Sequence, residues 1–153
     1  MRHRVGRLGI VITASLFAST LAAAAQPGTV SPQRNYLQYC SGCHLQDGAG
    51  MPSKDIPPMK DKVGRFLEVP GGRNFIVQVP GVMNTPLSDA EVAALMNWIL
   101  RGMAKSSTPP YTPPYTAEEV KTLRATRPSD IPATRRELVD KLRAKGVPPD
   151  QLP

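Results

Sequence analysis

Cys40-Ser41-Gly42-Cys43-His44 is the stretch on which the rest of this chain is organised. Two thiols three positions apart, followed at once by an imidazole, make the haem c attachment sequence. Chemistry explains the spacing. At a helix end both thiols can form thioethers to the two vinyl-derived carbons on one porphyrin edge, and the next residue then directs its imidazole at the iron. A zinc site would need four protein ligands, or three and a water. The chain has two histidines, His3 and His44, and His3 lies in a segment read below as removed, so a carboxylate would have to complete any such site. A thioredoxin-like dithiol wants a βαβ context that this Pro-rich sequence lacks, and an ordinary disulfide leaves His44 unexplained. One such motif implies one haem.

Outward from the motif, Ser31-Pro32 is a helix start, a hydroxyl at the N-cap with Pro at N1, and Tyr36, Leu37 and Cys40 then share a face. Residues 47–58 are rich in Gly and Pro and read as a loop wrapped around something. A short helix is expected over 59–67 with Val63 and Phe66 inside, broken by Pro70-Gly71-Gly72. The apolar pattern of 74–79 fits a short helix or an extended run equally. The best-defined element begins at Ser88: Ser88-Asp89-Ala90-Glu91 is a capping box, and Val92, Leu95, Met96, Ile99 and Leu100 recur at helical spacing. This amphipathic helix should end near Met103, with Asn97 and Trp98 on its flank.

Beyond Lys105 the composition changes. Nine of the 17 prolines fall after this point. Pro109-Pro110-Tyr111-Thr112 is repeated as Pro113-Pro114-Tyr115-Thr116, which predicts an extended polyproline arm carrying two exposed tyrosines. Thr116 to Glu119 resembles a second capping box, for a helix over 117–126 with Val120 and Leu123 inside. A last helix over 133–145, stopped by Gly146, presents Leu138, Val139 and Leu142. Neither helix buries enough to fold alone, so residues 106–153 must pack on the preceding domain, bind a partner, or stay loose.

At the other end, Arg2, Arg4 and Arg7 precede an uncharged apolar run from Leu8 to Ala25 that closes on Ala23-Ala24-Ala25. This is the pattern of a secretory signal peptide, residues 1–25, cleaved after Ala25, and it places the mature protein in a bacterial periplasm. An uncleaved anchor is the rival, but the Ala, Ser and Thr content and the small-residue end favour cleavage. Removing the three arginines lowers the formal charge from +7 to +4. The other basic residues are interleaved with acids, so no nucleic-acid patch is supported.

The chain resembles small bacterial class I cytochromes c over about residues 31–104. The resemblance is carried by Tyr36-Leu37-Gln38-Tyr39 before the motif, by Asp47-Gly48-Ala49-Gly50 and Ile56-Pro57-Pro58-Met59 after it, and by Leu87 to Leu95 with Trp98-Ile99. It implies an all-α fold: a cytochrome c domain, residues 26–105, around one covalent haem c, with a Pro-rich C-terminal extension, residues 106–153, carrying two short helices. Residue by residue it implies that Cys40 and Cys43 bind haem, that His44 is the proximal iron ligand, that the Pro57 carbonyl supports the imidazole N–H, and that Met83 is the distal ligand. Met51, Met59, Met96 and Met103 are rivals to Met83. Only Pro80-Gly81-Val82 separates Met83 from the apolar segment before it, a shorter lead-in than the family pattern.

The expected function is single-electron transfer between a periplasmic dehydrogenase and a later acceptor. The sequence holds no second cluster of titratable residues for acid–base chemistry, so a stand-alone enzyme is not the expectation. The alternative is a haem enzyme or gas-binding protein with an open distal position, of peroxidase type, in which Arg73 or Lys62 would polarise a bound ligand. The extension is read either as a docking arm for a larger redox enzyme, anchored by Tyr111 and Tyr115, or as a lid on the protein's own domain. After signal cleavage no stable membrane span is expected.

Overall fold

The computed structural model describes residues 30–153; the segment read as a signal peptide lies outside them. The first helix, α1 (Pro32–Tyr39), begins as its sequence dictates: the Ser31 hydroxyl accepts from the Arg34 N–H and Pro32 occupies the first turn. Its inner face is turned by one residue from the expected one. Asn35 and Tyr36 are buried, whereas Leu37 remains 45% exposed. Tyr36 meets Trp98 of α5 (Asp89–Arg101) with ring centroids 5.5 Å apart, and this contact marks where the first and last core helices cross.

The short helix expected over 59–67 forms only as a tighter 3₁₀ segment, Val63–Glu68. Asp61 adopts a left-handed backbone (φ 55°), which interrupts any continuous α-helix from Met59. Phe66 is nevertheless buried and stacks obliquely on Phe75, with centroids 5.2 Å apart. Residues 74–79, undecided by pattern, belong mostly to a helix, α3 (Gly72–Gln78). Phe75, Ile76, Val77 and Gln78 are all buried because the 3₁₀ segment covers one side of α3 and the C-terminal extension covers another. A helix enclosed on all sides loses the polar stripe that makes it legible. A single turn, α4 (Pro80–Met83), follows with Pro80 at its first position.

In α5 the capping box is complete: the Ser88 hydroxyl accepts from the Glu91 N–H at 3.3 Å and the Glu91 carboxylate accepts from the Ser88 N–H at 2.9 Å. The predicted stripe of Val92, Leu95, Met96, Ile99 and Leu100 is buried throughout, and the helix stops at Arg101 with Gly102 as its cap.

Two more helices, α6 (Ala117–Arg124) and α7 (Ile131–Ala144), come from the extension. Thr116 caps α6 by accepting from the Glu119 N–H, but the Glu119 carboxylate pairs with Arg73 instead of returning to Thr116, so only half of the expected box forms. α7 starts two residues before the predicted position because Asp130 serves as its N-cap, accepting from the Ala133 N–H at 2.8 Å. Gly146 then leaves the helix at φ 90°.

The extension is continuous with the rest of the fold. Tyr115, Val120, Leu123, Leu138, Val139 and Leu142 share one apolar core with Tyr36, Phe75 and the inner face of α5. At roughly 1.5–3 kcal/mol for each large aliphatic side chain fully buried, these contacts hold together helices that could not fold alone.

Two corrections concern the arm. Tyr115, expected to be exposed, is 3% exposed, while Tyr111 is fully exposed. The arm also bends: a turn closes from Pro109 to Thr112 with Tyr111 at φ 63°. Among the described residues no helix is long and apolar enough to cross a membrane.

Candidate haem site

α1 ends at Cys40, and one further turn, α2 (Ser41–His44), continues after a change of backbone direction at Cys40. The Cys40 carbonyl accepts from the N–H groups of both Cys43 and His44, at 3.2 and 2.9 Å. Cys40, Cys43 and His44 therefore stand within a single turn. The two thiols are unpaired; Cys43 is exposed and Cys40 half-buried. Burial, together with the neighbouring Cys43, pushes the Cys40 thiol upward.

His44 Nδ1 lies 3.0 Å from the Pro57 carbonyl oxygen. A carbonyl can only accept, so Nδ1 carries the hydrogen and the lone pair of the neutral ring resides on Nε2. Burial lowers the His44 pKa and outweighs the opposing effect of the Pro57 bond. The ring is thus held in the protonation state and tautomer of a metal ligand, with Nε2 as the donor.

The approach of Pro57 depends on Gly50. Gly50 sits at φ 70°, and a Cβ there would lie 2.6 Å from the carbonyl oxygens of both Ile56 and Pro57. Its N–H donates to the His44 carbonyl at 3.0 Å, while Met51 and Ile56 exchange both backbone hydrogen bonds. Residues 47–58 thereby form a closed loop whose far end returns to the imidazole. Beside it, the Tyr36 hydroxyl donates to the Leu45 carbonyl at 2.7 Å. Burial first, then Cys40 and Asp47, push the Tyr36 pKa up to about 12.

Met83 is half-buried at the last position of α4. Two rivals are committed to packing. Met96 is 4% exposed in the core, and the Met103 sulfur sits so close to Gly48 that a Cβ there would approach within 2.6 Å of it. Met51 is tied by its backbone to Ile56, and Met59 lies half-buried at the edge of the core. Arg73, considered as a polarising group for a bound ligand, is engaged elsewhere: its guanidinium binds Glu119 and the carbonyls of Pro113 and Pro114. Lys62 stands at the start of the 3₁₀ segment.

These residues fit covalently bound haem c. They offer two unpaired thiols and one imidazole with its Nε2 lone pair available. Half-buried apolar side chains flank them in the chain, Met59, Val63 and Leu67 after the His44 loop and Val79 and Val82 before Met83. Among the described residues no group of three or more His, Cys, Asp or Glu side chains converges as a metal-binding cluster would require.

Over 119 aligned residues the chain is 34% identical to cytochrome c-552 of Thermus thermophilus, an alignment that covers 65% of this chain and 90% of that relative. The chain belongs to the class I cytochrome c family. A second cytochrome c-552, from another strain of Thermus thermophilus, matches at the same 34% over 119 residues, with 80% of its length covered. No protein-family model matches the chain. This cytochrome is an all-α electron carrier whose cofactor is haem c. Sequence reasoning overlooked the part played by Gly50 in its loop, although the pair Gly48 and Gly50 was a signal of backbone crowding. It also overlooked Asn97 and Arg124, which give no local signal at all.

Proposed function

We propose that this cytochrome carries single electrons in the periplasm, from a dehydrogenase to a downstream acceptor, and is not a stand-alone enzyme. The observation that carries the reading is the Nδ1 bond from His44 to Pro57 beside two unpaired thiols in the same turn. Cys40 and Cys43 hold the haem as thioethers, His44 ligates through Nε2, and Met83 is the distal ligand. When bound, the haem iron supplies a one-electron ferric/ferrous couple, and His/Met ligation raises its potential. The chain's own contribution is orientation. The Pro57 carbonyl holds the imidazole plane and increases its basicity, and the half-buried apolar side chains around it exclude water.

Residues 1–25 are the export signal, 26–105 the haem domain and 106–153 an extension. With Tyr115 buried, Tyr111 is the residue left to anchor a dehydrogenase on the arm. Absorption spectra of the purified holoprotein in both redox states test the site: low-spin bands with the weak Met–ferric band at the red end are expected. A five-coordinate high-spin spectrum in both states, or carbon monoxide binding without displacement of Met, would sink the carrier reading in favour of a ligand-binding haem protein. The mass of the periplasmic form, expected to begin at Gln26 with one haem, tests the export signal.

A further inference from the structure

Arg124, the last residue of α6, is largely buried, with 19% of its side chain exposed. Its Nη1 donates to the Leu87 carbonyl at 2.9 Å and to the Asp89 carboxylate at 3.0 Å. Nη2 donates to the Thr85 carbonyl at 3.1 Å and more weakly to the Met83 carbonyl at 3.4 Å. Three carbonyls of one short segment therefore converge on a cation placed 41 positions beyond the first of them. Oxygens aimed at a common point repel one another, and the arrangement holds because a planar guanidinium with five donors satisfies them together.

The other hydrogen bonds of this segment are local. The Asn84 and Thr85 N–H groups turn back to Pro80 and Val82 of α4, and Ser88 pairs with Glu91 of α5. Among the described residues, Arg124 alone ties the segment by hydrogen bonds to a distant part of the chain.

We propose that Arg124 is the positioning residue of the distal side: by gripping Met83 to Asp89 it holds the Met83 thioether in place, so that the C-terminal extension governs distal ligation. The inference rests on the reading of Met83 as the distal ligand. A looser segment leaves the thioether easier to displace by an external ligand and lowers the potential that His/Met ligation sustains.

The test uses the holoprotein, with cyanide binding to the ferric form, the red Met–ferric band and the midpoint potential as readouts. Arg124→Ala should raise cyanide affinity about tenfold or more, the effect of losing one charge-assisted hydrogen bond, with a weaker red band and a lower potential. Arg124→Lys should fall between, because one ammonium cannot span the four acceptors; it also serves if the alanine variant yields no holoprotein. Arg73→Ala is the control, since it removes a comparable set of bonds to the extension without touching residues 83–89. Wild-type cyanide affinity in both Arg124 variants would overturn the proposal. So would an equal rise in Arg73→Ala, which would reduce Arg124 to one more fastening of the extension. A red band that survives Met83→Ala would instead remove the ligand assignment, and the proposal with it, in a separate sample.

Discussion

The Arg73 guanidinium lies 3.9 Å over the ring of Tyr115, while the Tyr115 hydroxyl donates at 2.7 Å to the backbone carbonyl of Arg73 itself. Each residue holds the other by two kinds of contact. The same guanidinium also binds Glu119 through two nitrogens, at 2.6 and 2.7 Å. Burial pushes the Tyr115 hydroxyl pKa upward, and the bond to Glu119 raises that of Arg73. The phenol therefore stays a neutral donor and the guanidinium a cation throughout the physiological range. This pair fastens the extension to α3.

Tyr115→Phe should destabilise the holoprotein by about 1 kcal/mol, the net worth of one buried hydrogen bond, and Tyr115→Ala by about 3–5 kcal/mol through cavity formation. Tyr111→Ala should stay within about 0.5 kcal/mol, since the ring touches solvent alone. Urea unfolding followed by far-ultraviolet circular dichroism measures all three, and equal effects at both tyrosines would contradict the packing described.

Asn97 clamps the arm at the same place, donating from its amide to the Tyr115 carbonyl at 3.0 Å and accepting from the Tyr115 N–H at 2.8 Å. Asn97→Leu leaves both backbone groups without partners and should cost about 1–3 kcal/mol. Faster amide hydrogen exchange at Tyr115 is the local signature, checked by nuclear magnetic resonance of the reduced holoprotein.

Gly50→Ala should disturb the proximal side. The added Cβ collides with the carbonyls of Ile56 and Pro57 and meets a left-handed backbone, a combined strain of at least about 1 kcal/mol. As Pro57 is displaced the imidazole loses basicity, the ferric state loses stabilisation, and the potential should rise. Potentiometric titration against Gly42→Ala, where a Cβ meets nothing within 4 Å, checks the sign.

Glu68 introduces a pH dependence. Burial pushes its pKa up, but hydrogen bonds and charge from Arg65 and Lys145 outweigh burial and leave it below the ordinary value. A depressed folded-state pKa contributes stability above the unfolded value, about 4.3 for Glu, and that contribution is lost as pH falls through the folded value. Glu68→Gln should therefore be less stable than wild type at pH 7 by no more than about 1 kcal/mol. The gap should close in acid, as thermal melts at pH 7 and pH 3 would show.

Deleting residues 106–153 strips Tyr115, Val120, Leu123, Leu138, Val139 and Leu142 from the shared core. The truncated chain is expected to give little folded holoprotein, measured as haem-stained yield from the periplasm. A truncated form with wild-type stability would show that the extension is dispensable to the fold.

The haem motif, the capping box of α5 and its buried stripe were legible because each is local: thiol and imidazole spacing, a Ser–Glu pair three apart, a period of 3.6. The α1 start at Ser31-Pro32 was legible for the same reason. Reading failed where a neighbour from elsewhere in the chain intervened. Leu37 stays exposed because Asn35 and Tyr36 turn inward, α3 loses its polar stripe under two covering elements, and Glu119 leaves its own helix cap for Arg73.

The two Pro-Pro-Tyr-Thr units show the division most directly. By itself the sequence determined a cytochrome with one haem-attachment motif, an all-α frame and a Pro-rich extension. It could not separate Tyr111 from Tyr115, since identical units have identical local propensities. Only the tertiary structure decided between them: Arg73 and Asn97 stand opposite Tyr115, and Tyr111 has nothing opposite it but water.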